Sequence, residues 1–218
     1  DLLFFTTKGK VYVIKAYEVP EAQRAAKGRS VVNLLPLDAD EKVTTIIPRA
    51  DDQKGNLIMA TRNGLIKKTD LTEFERINKN GKIAISLVDN DVLIGAEMSD
   101  GNGQILIASK DGKCIRFSEN DVRKTGRGSQ GVKSMDLKED DEIIDMTLVK
   151  EGSQIITITE NGYGKRSPES DYRLQGRGGM GVKAGVLNDK TGRLVALKQT
   201  NGDEDILMIA DNGVVIRT

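Results

Sequence analysis

The sequence predicts an all-β fold of about five to six four-stranded blades around an axis, a propeller-like arrangement. Three observations predict it. A short apolar run followed by a tight turn recurs about every 50 residues, a second glycine follows each turn at a nearly constant distance, and helical periodicity is weak throughout. Because one four-stranded sheet cannot bury both of its faces, neighbouring repeats are expected to cover each other.

The first mark of the repeat is a hairpin turn. Asn-Gly and related dipeptides supply the positive φ angles that short hairpin loops require. Apolar β-rich runs such as LLFF, LIMA and IITI precede the turns, and the turn glycines lie 48 to 55 residues apart. These glycines are Gly9, Gly64, Gly112, Gly162 and Gly213.

The second mark is a glycine 17 to 19 residues after the hairpin glycine, at positions 28, 81, 131 and 181. A further apolar run then closes the unit, so that each repeat holds about four short strands. A short helical turn is allowed near AYEVPEA. With five hairpins and four complete junctions, we expect residues 1–218 to form a single domain that begins and ends within a repeat.

The composition excludes several classes of function. The chain has no histidine, one cysteine and only 4% aromatic residues. Imidazole catalysis, histidine zinc sites, internal disulfides and base-stacking grooves are therefore not expected. No apolar run approaches the roughly 20 residues of a membrane span, and the single cysteine suits a reducing cytoplasm.

Basic residues recur at a fixed distance from the hairpin glycine. The fourth residue after it is basic in four repeats, and in two of these the third is basic as well; the first repeat has Val13 there instead. Repetition would turn this position into a ring of positive charge, although strand cations can also simply solvate an edge and block aggregation. The hairpin cations are Lys10, Lys15, Lys67, Lys68, Lys113, Arg116, Lys165, Arg166 and Arg217.

The loops around the second glycine are also basic. Glycines there allow a close approach to phosphate, and the cations are Arg127, Lys133, Arg177 and Lys183. Acidic runs at 38–41 and 138–142 follow these loops. The zero net charge is therefore an average over segregated regions, and the pattern favours a polyanionic partner.

Long stretches of the chain resemble one family. The runs at 9–43, 63–74 and 160–167, notably VVNLLPL, resemble the C-terminal domain of the bacterial DNA gyrase A subunit. The resemblance implies a β-pinwheel with hairpin-swapped blades that wraps double-stranded DNA around a basic rim and has no active site. It also implies the rest of the gyrase A protein and the gyrase B protein as partners, ATP and Mg²⁺ used elsewhere in the holoenzyme, and a place at the nucleoid in the bacterial cytoplasm.

The signature box of that family, Q-R-R-G-G-K-G, has only a degenerate match in this chain. The matching run is QGRGGMG, with glycine and methionine at two of the charged places, so we expect the true box to lie upstream. Its residues are Gln175, Gly176, Arg177, Gly178, Gly179, Met180 and Gly181.

Two alternatives stay open, the related C-terminal domain of topoisomerase IV and a protein-binding propeller scaffold. Enzymatic activity is disfavoured, because SKDGKC lacks the aromatic residue that would close an Asp-box.

Overall fold

The computed structural model describes residues 1–23, 26, 29–210 and 214–218. Antiparallel strands dominate it, which confirms the all-β prediction. Gly28 and Gly213 lie outside the described residues. The strands are β1 Leu2–Thr6, β2 Lys10–Ile14, β3 Val43–Pro48, β4 Asn56–Thr61, β5 Leu65–Asp70, β6 Lys82–Ile83, β7 Leu93–Ser99, β8 Gln104–Ser109, β9 Lys113–Ser118, β10 Val132–Lys133, β11 Ile143–Val149, β12 Gln154–Thr159, β13 Gly164–Pro168, β14 Val182–Lys183, β15 Leu194–Thr200, β16 Leu207–Ile209 and β17 Val215–Arg217.

The connections contain short 3-10 turns. One of them, Ala16–Glu18, confirms the helical turn predicted near AYEVPEA. No helix among the described residues is long and apolar enough to cross a membrane. The other turns are Val31–Asn33, Leu71–Phe74, Glu119–Asp121 and Glu169–Asp171.

The strands form five sheets, which we call blades 1 to 5 in chain order. Blades 1, 2 and 3 have four strands each, in the orders β3-β1-β2-β6, β7-β4-β5-β10 and β11-β8-β9-β14. Blade 4 has three strands, β15-β12-β13, and blade 5 has two, β16-β17. The expectation of five to six four-stranded blades is therefore met by only three sheets of the described residues.

The shortfall follows from an exchange of strands. In each complete blade the fourth strand is a two-residue segment from the following repeat, which pairs with the second hairpin strand of the blade before it. The strand count of a blade therefore depends on the repeat that comes after it, and the four strands are not those of one 50-residue unit.

The closing strands lie side by side across the blades. β3 contacts β7, β7 contacts β11, and β11 contacts β15. Side chains also accept hydrogen bonds from the backbone of the next closing strand, as Glu97 does from the Leu148 N–H at 2.8 Å. These strands are therefore innermost, and the exchanged strands β6, β10 and β14 form the outer edges.

Apolar cores lie between the blades. All six residues of β4 are buried, with Leu57 and Met59 packed towards blade 1 and Ile58 and Ala60 towards blade 3. Burial on both faces explains why the first hairpin strands are continuous apolar runs instead of alternating patterns.

The second glycine of the repeat is required for the exchanged strand to approach its neighbour. Gly131 has a φ of +94°, and a Cβ atom there would lie 2.6 Å from the Ile66 carbonyl oxygen. A side chain would clash with the backbone and would also strain the chain, because positive φ is costly for residues other than glycine.

We predict that Gly131→Ala lowers the free energy of unfolding by about 2 kcal/mol or more, from backbone strain and the clash together. Urea unfolding measures the change. Gly126→Ala is the matched control, because no atom lies within 4 Å of a Cβ at Gly126 in the same loop. Equal stability of the two variants would contradict this role of Gly131.

Candidate nucleic-acid interface

The basic position after the hairpin glycine is buried in blade 2. Lys68 is only 5% exposed, and its ammonium donates a hydrogen bond of 2.8 Å to the backbone oxygen of Glu119 and lies 3.7 Å from the Glu119 carboxylate. The prediction that Lys68 binds DNA is therefore wrong. A charge that forms an ion pair with the next blade is not available to phosphate.

Blade 3 repeats this contact with an arginine. Arg116 Nη1 donates to the carboxylate of Glu169 at 2.8 Å and to its backbone oxygen at 2.7 Å. The same guanidinium lowers the pKa of Glu169. Arg116 was also expected to bind DNA, and this prediction is wrong for the same reason.

We call these two ion pairs the clasps. Each joins the second hairpin strand of one blade to the 3-10 turn that follows the hairpin of the next blade. At the junction of blades 1 and 2 the same two positions hold Val13 and Leu71, both packed in the apolar core. The first repeat lacks the basic residue because its partner position is apolar.

Glu119 is held by further hydrogen bonds at the clasp. Its carboxylate accepts from Asn56 Nδ2 at 3.3 Å, from the Gly103 N–H at 3.0 Å and from the Ser99 hydroxyl. A buried carboxylate with one cation and several donors is fully compensated. The clasp is therefore part of the interior of the domain.

Lys67 is also buried, with 1% of its surface exposed. Its ammonium donates to the backbone oxygens of Ala84, at 2.8 Å, and of Arg127. Burial and, to a smaller extent, the nearby Arg127 charge lower the pKa of Lys67 to about 8, against the opposing effect of the Glu73 charge. The prediction that Lys67 contacts DNA is wrong as well.

The remaining hairpin cations differ in their surroundings. Within the described residues, the side chains of Lys165 and Arg166, both exposed on β13, form no ion pair. Three others are paired: Lys10 lies 3.5 Å from Asp38, Lys15 lies 2.5 Å from Asp1, and Arg217 contacts Asp205. Lys113 begins β9 directly opposite Lys183.

The outer edge of the domain carries the largest uncompensated positive charge. The segments 76–83, 123–133 and 173–183, which we call the rim loops, each end in an exchanged strand and contain no aspartate or glutamate. They run along the outer side of the preceding blade, where bridges join Lys124 to Lys68 and Leu174 to Arg116. Their basic residues are Arg76, Lys79, Lys82, Arg123, Lys124, Arg127, Lys133, Arg173, Arg177 and Lys183.

Half of these cations are free for a ligand. Five are largely exposed and form no ion pair among the described residues: Arg76, Lys79, Arg123, Arg173 and Lys183. Lys124 lies 3.0 Å from Asp70 and lowers the pKa of that carboxyl to about 2, and Lys133 lies 2.6 Å from Asp136. Both of these pairs are at the surface, where phosphate can compete with the carboxylate.

Sequence reasoning missed six of the ten rim-loop cations. They lie 11 to 18 residues after the hairpin glycine, beyond the hairpin itself, and the signal that identifies them is the absence of aspartate and glutamate from the segments 76–83, 123–133 and 173–183. The missed residues are Arg76, Lys79, Lys82, Arg123, Lys124 and Arg173.

The degenerate box lies within the third rim loop. Gln175 donates its backbone N–H to the Arg116 oxygen at 2.8 Å, and Gly181 leads into β14. Met180, at the place of the family lysine, is 70% exposed. The box-like run thus lies at the outer edge, with a methionine where a cation would face solvent.

Acidic residues collect at one end of the blades. The segments at the strand ends opposite the hairpin tips, which we call the turn end, carry fourteen Asp/Glu against four Lys/Arg. The acidic runs 38–41 and 138–142 lie at the other end, beside the hairpin tips. The turn end comprises 15–19, 49–55, 71–75, 100–103, 119–122, 150–153, 169–172 and 201–206.

No metal or thiol chemistry is visible in the described part of the chain. Among those residues there is no group of three or more Cys, Asp or Glu side chains that could hold a metal ion. Cys114 is fully buried, as expected for a core residue, and burial raises the pKa of its thiol to about 12.

Comparison with known proteins identifies the repeat. The family model described as "DNA gyrase C-terminal domain, beta-propeller" matches residues 1–48, 55–100, 103–150 and 153–201. The chain belongs to this family. The four matches follow the hairpin repeat, and they confirm the resemblance on which the β-pinwheel expectation depends.

Full-length relatives and solved structures agree with this assignment. The chain is 40% identical over 218 residues to the DNA gyrase A subunit of Escherichia coli and 44% identical to that of Clostridium acetobutylicum. It spans about a quarter of the length of these relatives, 25% and 26% respectively, and all of its own residues are covered.

The solved structures come from both branches of the family. The C-terminal domain of DNA topoisomerase IV superposes with a TM-score of 0.87 at 25% identity, covering 100% of this chain and 68% of that one. The DNA gyrase A C-terminal domain superposes with 0.83 at 31% identity, covering 99% and 71%. The fold is common to both, while the identity is higher to gyrase.

We predict that Lys68→Met lowers the free energy of unfolding by about 3 kcal/mol, because Glu119 then stays buried without its cation. Lys124→Met, which breaks the exposed pair with Asp70, is the matched control and is expected to cost less than about 1 kcal/mol. Urea unfolding near neutral pH measures both. Similar stability losses would show that Lys68 is not part of an interior clasp.

We also predict a pH dependence from Lys67. Its pKa of about 8 in the fold lies below the value of about 10.4 in an unfolded chain, so the unfolded chain binds more protons between these values. The unfolding free energy of the protein, relative to Lys67→Met, should therefore rise as the pH increases from about 8 to 10.4. Urea unfolding at several pH values measures this difference, and a flat or falling difference would contradict the prediction.

Proposed function

We propose that this chain is a non-catalytic module that binds double-stranded DNA along the rim loops and bends it around the blades. One observation carries the proposal: three successive blades present acid-free basic loops at the same outer edge. A cationic stripe of this kind is the electrostatic footprint of a nucleic-acid-binding surface.

The arrangement of charge supports a path along the edge. Consecutive rim loops are hydrogen-bonded to each other, as from Arg127 Nη1 to the Ile83 oxygen at 3.4 Å and from Arg177 Nη1 to the Lys133 oxygen, so that the cations follow one continuous line. The acidic turn end repels phosphate and limits the DNA to the rim. The scaffold alternative predicts apolar or mixed faces, whereas this face is strongly acidic.

The proposed contacts are made to the DNA backbone. In the described residues the rim loops end in strands of two residues, too short for a ribbon or helix that reads a groove. Bending 20–30 base pairs by 40–90° costs about 1–6 kcal/mol, which phosphate contacts must offset. With about eight contacts from the rim loops, affinity is expected to fall by about 10⁴ between 50 and 200 mM salt.

In the whole protein, we propose that the bent DNA is presented to the rest of the gyrase A protein and to the gyrase B protein. The holoenzyme would introduce negative supercoils with ATP and Mg²⁺ held by other domains, at the nucleoid in the bacterial cytoplasm. The same role in topoisomerase IV is the alternative, supported by the high TM-score to that domain.

We predict that Arg123→Glu/Arg173→Glu weakens DNA binding and lowers the salt slope of the affinity by about 1.8, about 0.9 for each phosphate that is no longer bound. Mobility shifts of a 60-base-pair duplex at several salt concentrations, a length chosen within the roughly 150-base-pair persistence length, provide the measurement. Both arginines are exposed, so the fold should be unchanged by circular dichroism.

Lys54→Glu/Lys150→Glu is the matched control, because it changes the net charge by the same amount at the turn end. The control should bind DNA almost as the unmodified protein does. Equal weakening of both variants would show that only net charge matters, and no binding by the unmodified protein would reject the proposed function.

A further inference from the structure

We infer that Arg127 and Arg177 are positioning residues that join consecutive rim loops and do not serve as phosphate ligands, an inference that rests on the proposed binding of DNA by these loops. Both arginines were expected to contact DNA. Their hydrogen bonds instead point from one loop to the preceding one, and we call these two sets of contacts the staples.

The staple of Arg177 joins the third rim loop to the second. Its Nη1 donates to the backbone oxygen of Lys133, the last residue of β10, and its Nε donates to the Asp121 oxygen at 3.1 Å. The guanidinium is therefore held between two backbone acceptors of the preceding repeat. Its fork of donors suits two acceptors at once, which a lysine ammonium does not match.

The staple of Arg127 joins the second rim loop to the first, with a carboxylate in place of one of the two backbone acceptors. Its Nη1 donates at 3.4 Å to the oxygen of Ile83, the last residue of β6, and its Nε lies 3.4 Å from the Glu73 carboxylate. Each arginine lies four residues before the second glycine of its repeat, and Glu73 and Asp121 each lie nine residues after a hairpin glycine. The same positions are thus used twice.

Backbone hydrogen bonds support the same junctions. The Asp136 N–H donates to the Gly179 oxygen at 2.9 Å, and one blade earlier the Ser86 N–H donates to the Ser129 oxygen at 3.1 Å. Lys67 adds a bond to the Arg127 oxygen from inside the blade. The glycine-rich rim loops are therefore attached to their neighbours on both sides of the arginine.

The staples have a consequence for bending DNA. A stiff duplex follows a curved path only if the cations that attract it keep fixed positions from blade to blade. The loops contain many glycines and would otherwise be flexible. In the first rim loop the corresponding residue is Ile77, which packs against the apolar core instead. Arg127 and Arg177 thus set the spacing of the cations, and residues such as Arg123 and Arg173 attract the phosphates.

The test compares two pairs of variants of the same charge. Arg127→Met/Arg177→Met removes the staples, and Arg123→Met/Arg173→Met removes exposed cations four residues earlier in the same loops. Binding is measured at several salt concentrations on a straight 12-base-pair duplex and on a 60-base-pair duplex, and bending of the longer one is measured by energy transfer between its ends. Hydrogen exchange of the Ser86 and Asp136 amides is measured without DNA.

For the staple variant we expect an unchanged salt slope on the short duplex. We also expect a smaller bend and faster exchange at both amides. The affinity for the long duplex should fall on the order of tenfold, a change of about 1.4 kcal/mol that lies within the range of the bending cost. For the Arg123/Arg173 variant we expect a slope lower by about 0.9 for each phosphate that is no longer bound, and unchanged exchange. Arg127→Lys/Arg177→Lys keeps the charge but not the fork, and it should behave as the methionine variant does.

Two results would overturn the inference. One is a decrease of the slope on the short duplex as large as that of the Arg123/Arg173 variant, with full rescue by lysine, which would make the arginines phosphate ligands. The other is unchanged exchange at Ser86 and Asp136, which would show that the staples do not hold the loops. If the unmodified protein binds no DNA, the proposed function fails, while the exchange measurement still decides whether the staples exist.

Discussion

The structure depends on one constraint: the outer strand of each complete blade comes from the following repeat. The exchanged strands are only two residues long and form few hydrogen bonds of their own. They need additional support, which glycines at the points of close approach and the clasps from the adjacent hairpin strands provide. Each repeat is thereby bound to the next by backbone pairing, apolar packing and, at two junctions, an ion pair that is buried at Lys68 and part-buried at Arg116. Because each complete blade needs a strand from the following repeat, consecutive repeats must pack next to each other in the order of the chain.

The exchange also decides where the charge lies. To reach the outer edge of the preceding blade, the chain leaves a 3-10 turn, crosses the open side of a hairpin strand and returns as the exchanged strand. This crossing segment is the rim loop, which is rich in basic residues and contains no aspartate or glutamate. The acidic residues that balance it lie at the turn end and beside the hairpin tips. A neutral protein can therefore present a basic edge, because its opposite charges occupy different sides of the same fold.

The basic residues of this domain serve two purposes that a sequence does not separate. Lys68 and Arg116 join neighbouring blades through carboxylates that are buried at Glu119 and part-buried at Glu169, whereas Arg123 and Arg173 face solvent. At the junction of blades 1 and 2 the two clasp positions are occupied by Val13 and Leu71, which pack in the apolar core. The two side chains at such a junction must therefore match each other, either as an ion pair or as an apolar contact. The basic residue after the hairpin glycine recurs because the packing between blades recurs. A basic residue that bound a ligand along the blades would recur with the same period. Periodicity alone is therefore not evidence that a cation contacts a ligand.

The sequence by itself determined the all-β class, the 50-residue repeat, the hairpin positions and the family, because turn chemistry and apolar runs are local properties of the chain. It also located three of the rim-loop segments through their glycines. Only the tertiary structure decided which strands share a blade and which cations are buried. Lys67 and Lys68 carry the same positive charge as Arg123 and Arg173, and the elements packed against them decide that the two lysines are buried and the two arginines exposed. Those elements come from repeats about 50 residues away, and a single sequence does not contain the pairing that brings them together.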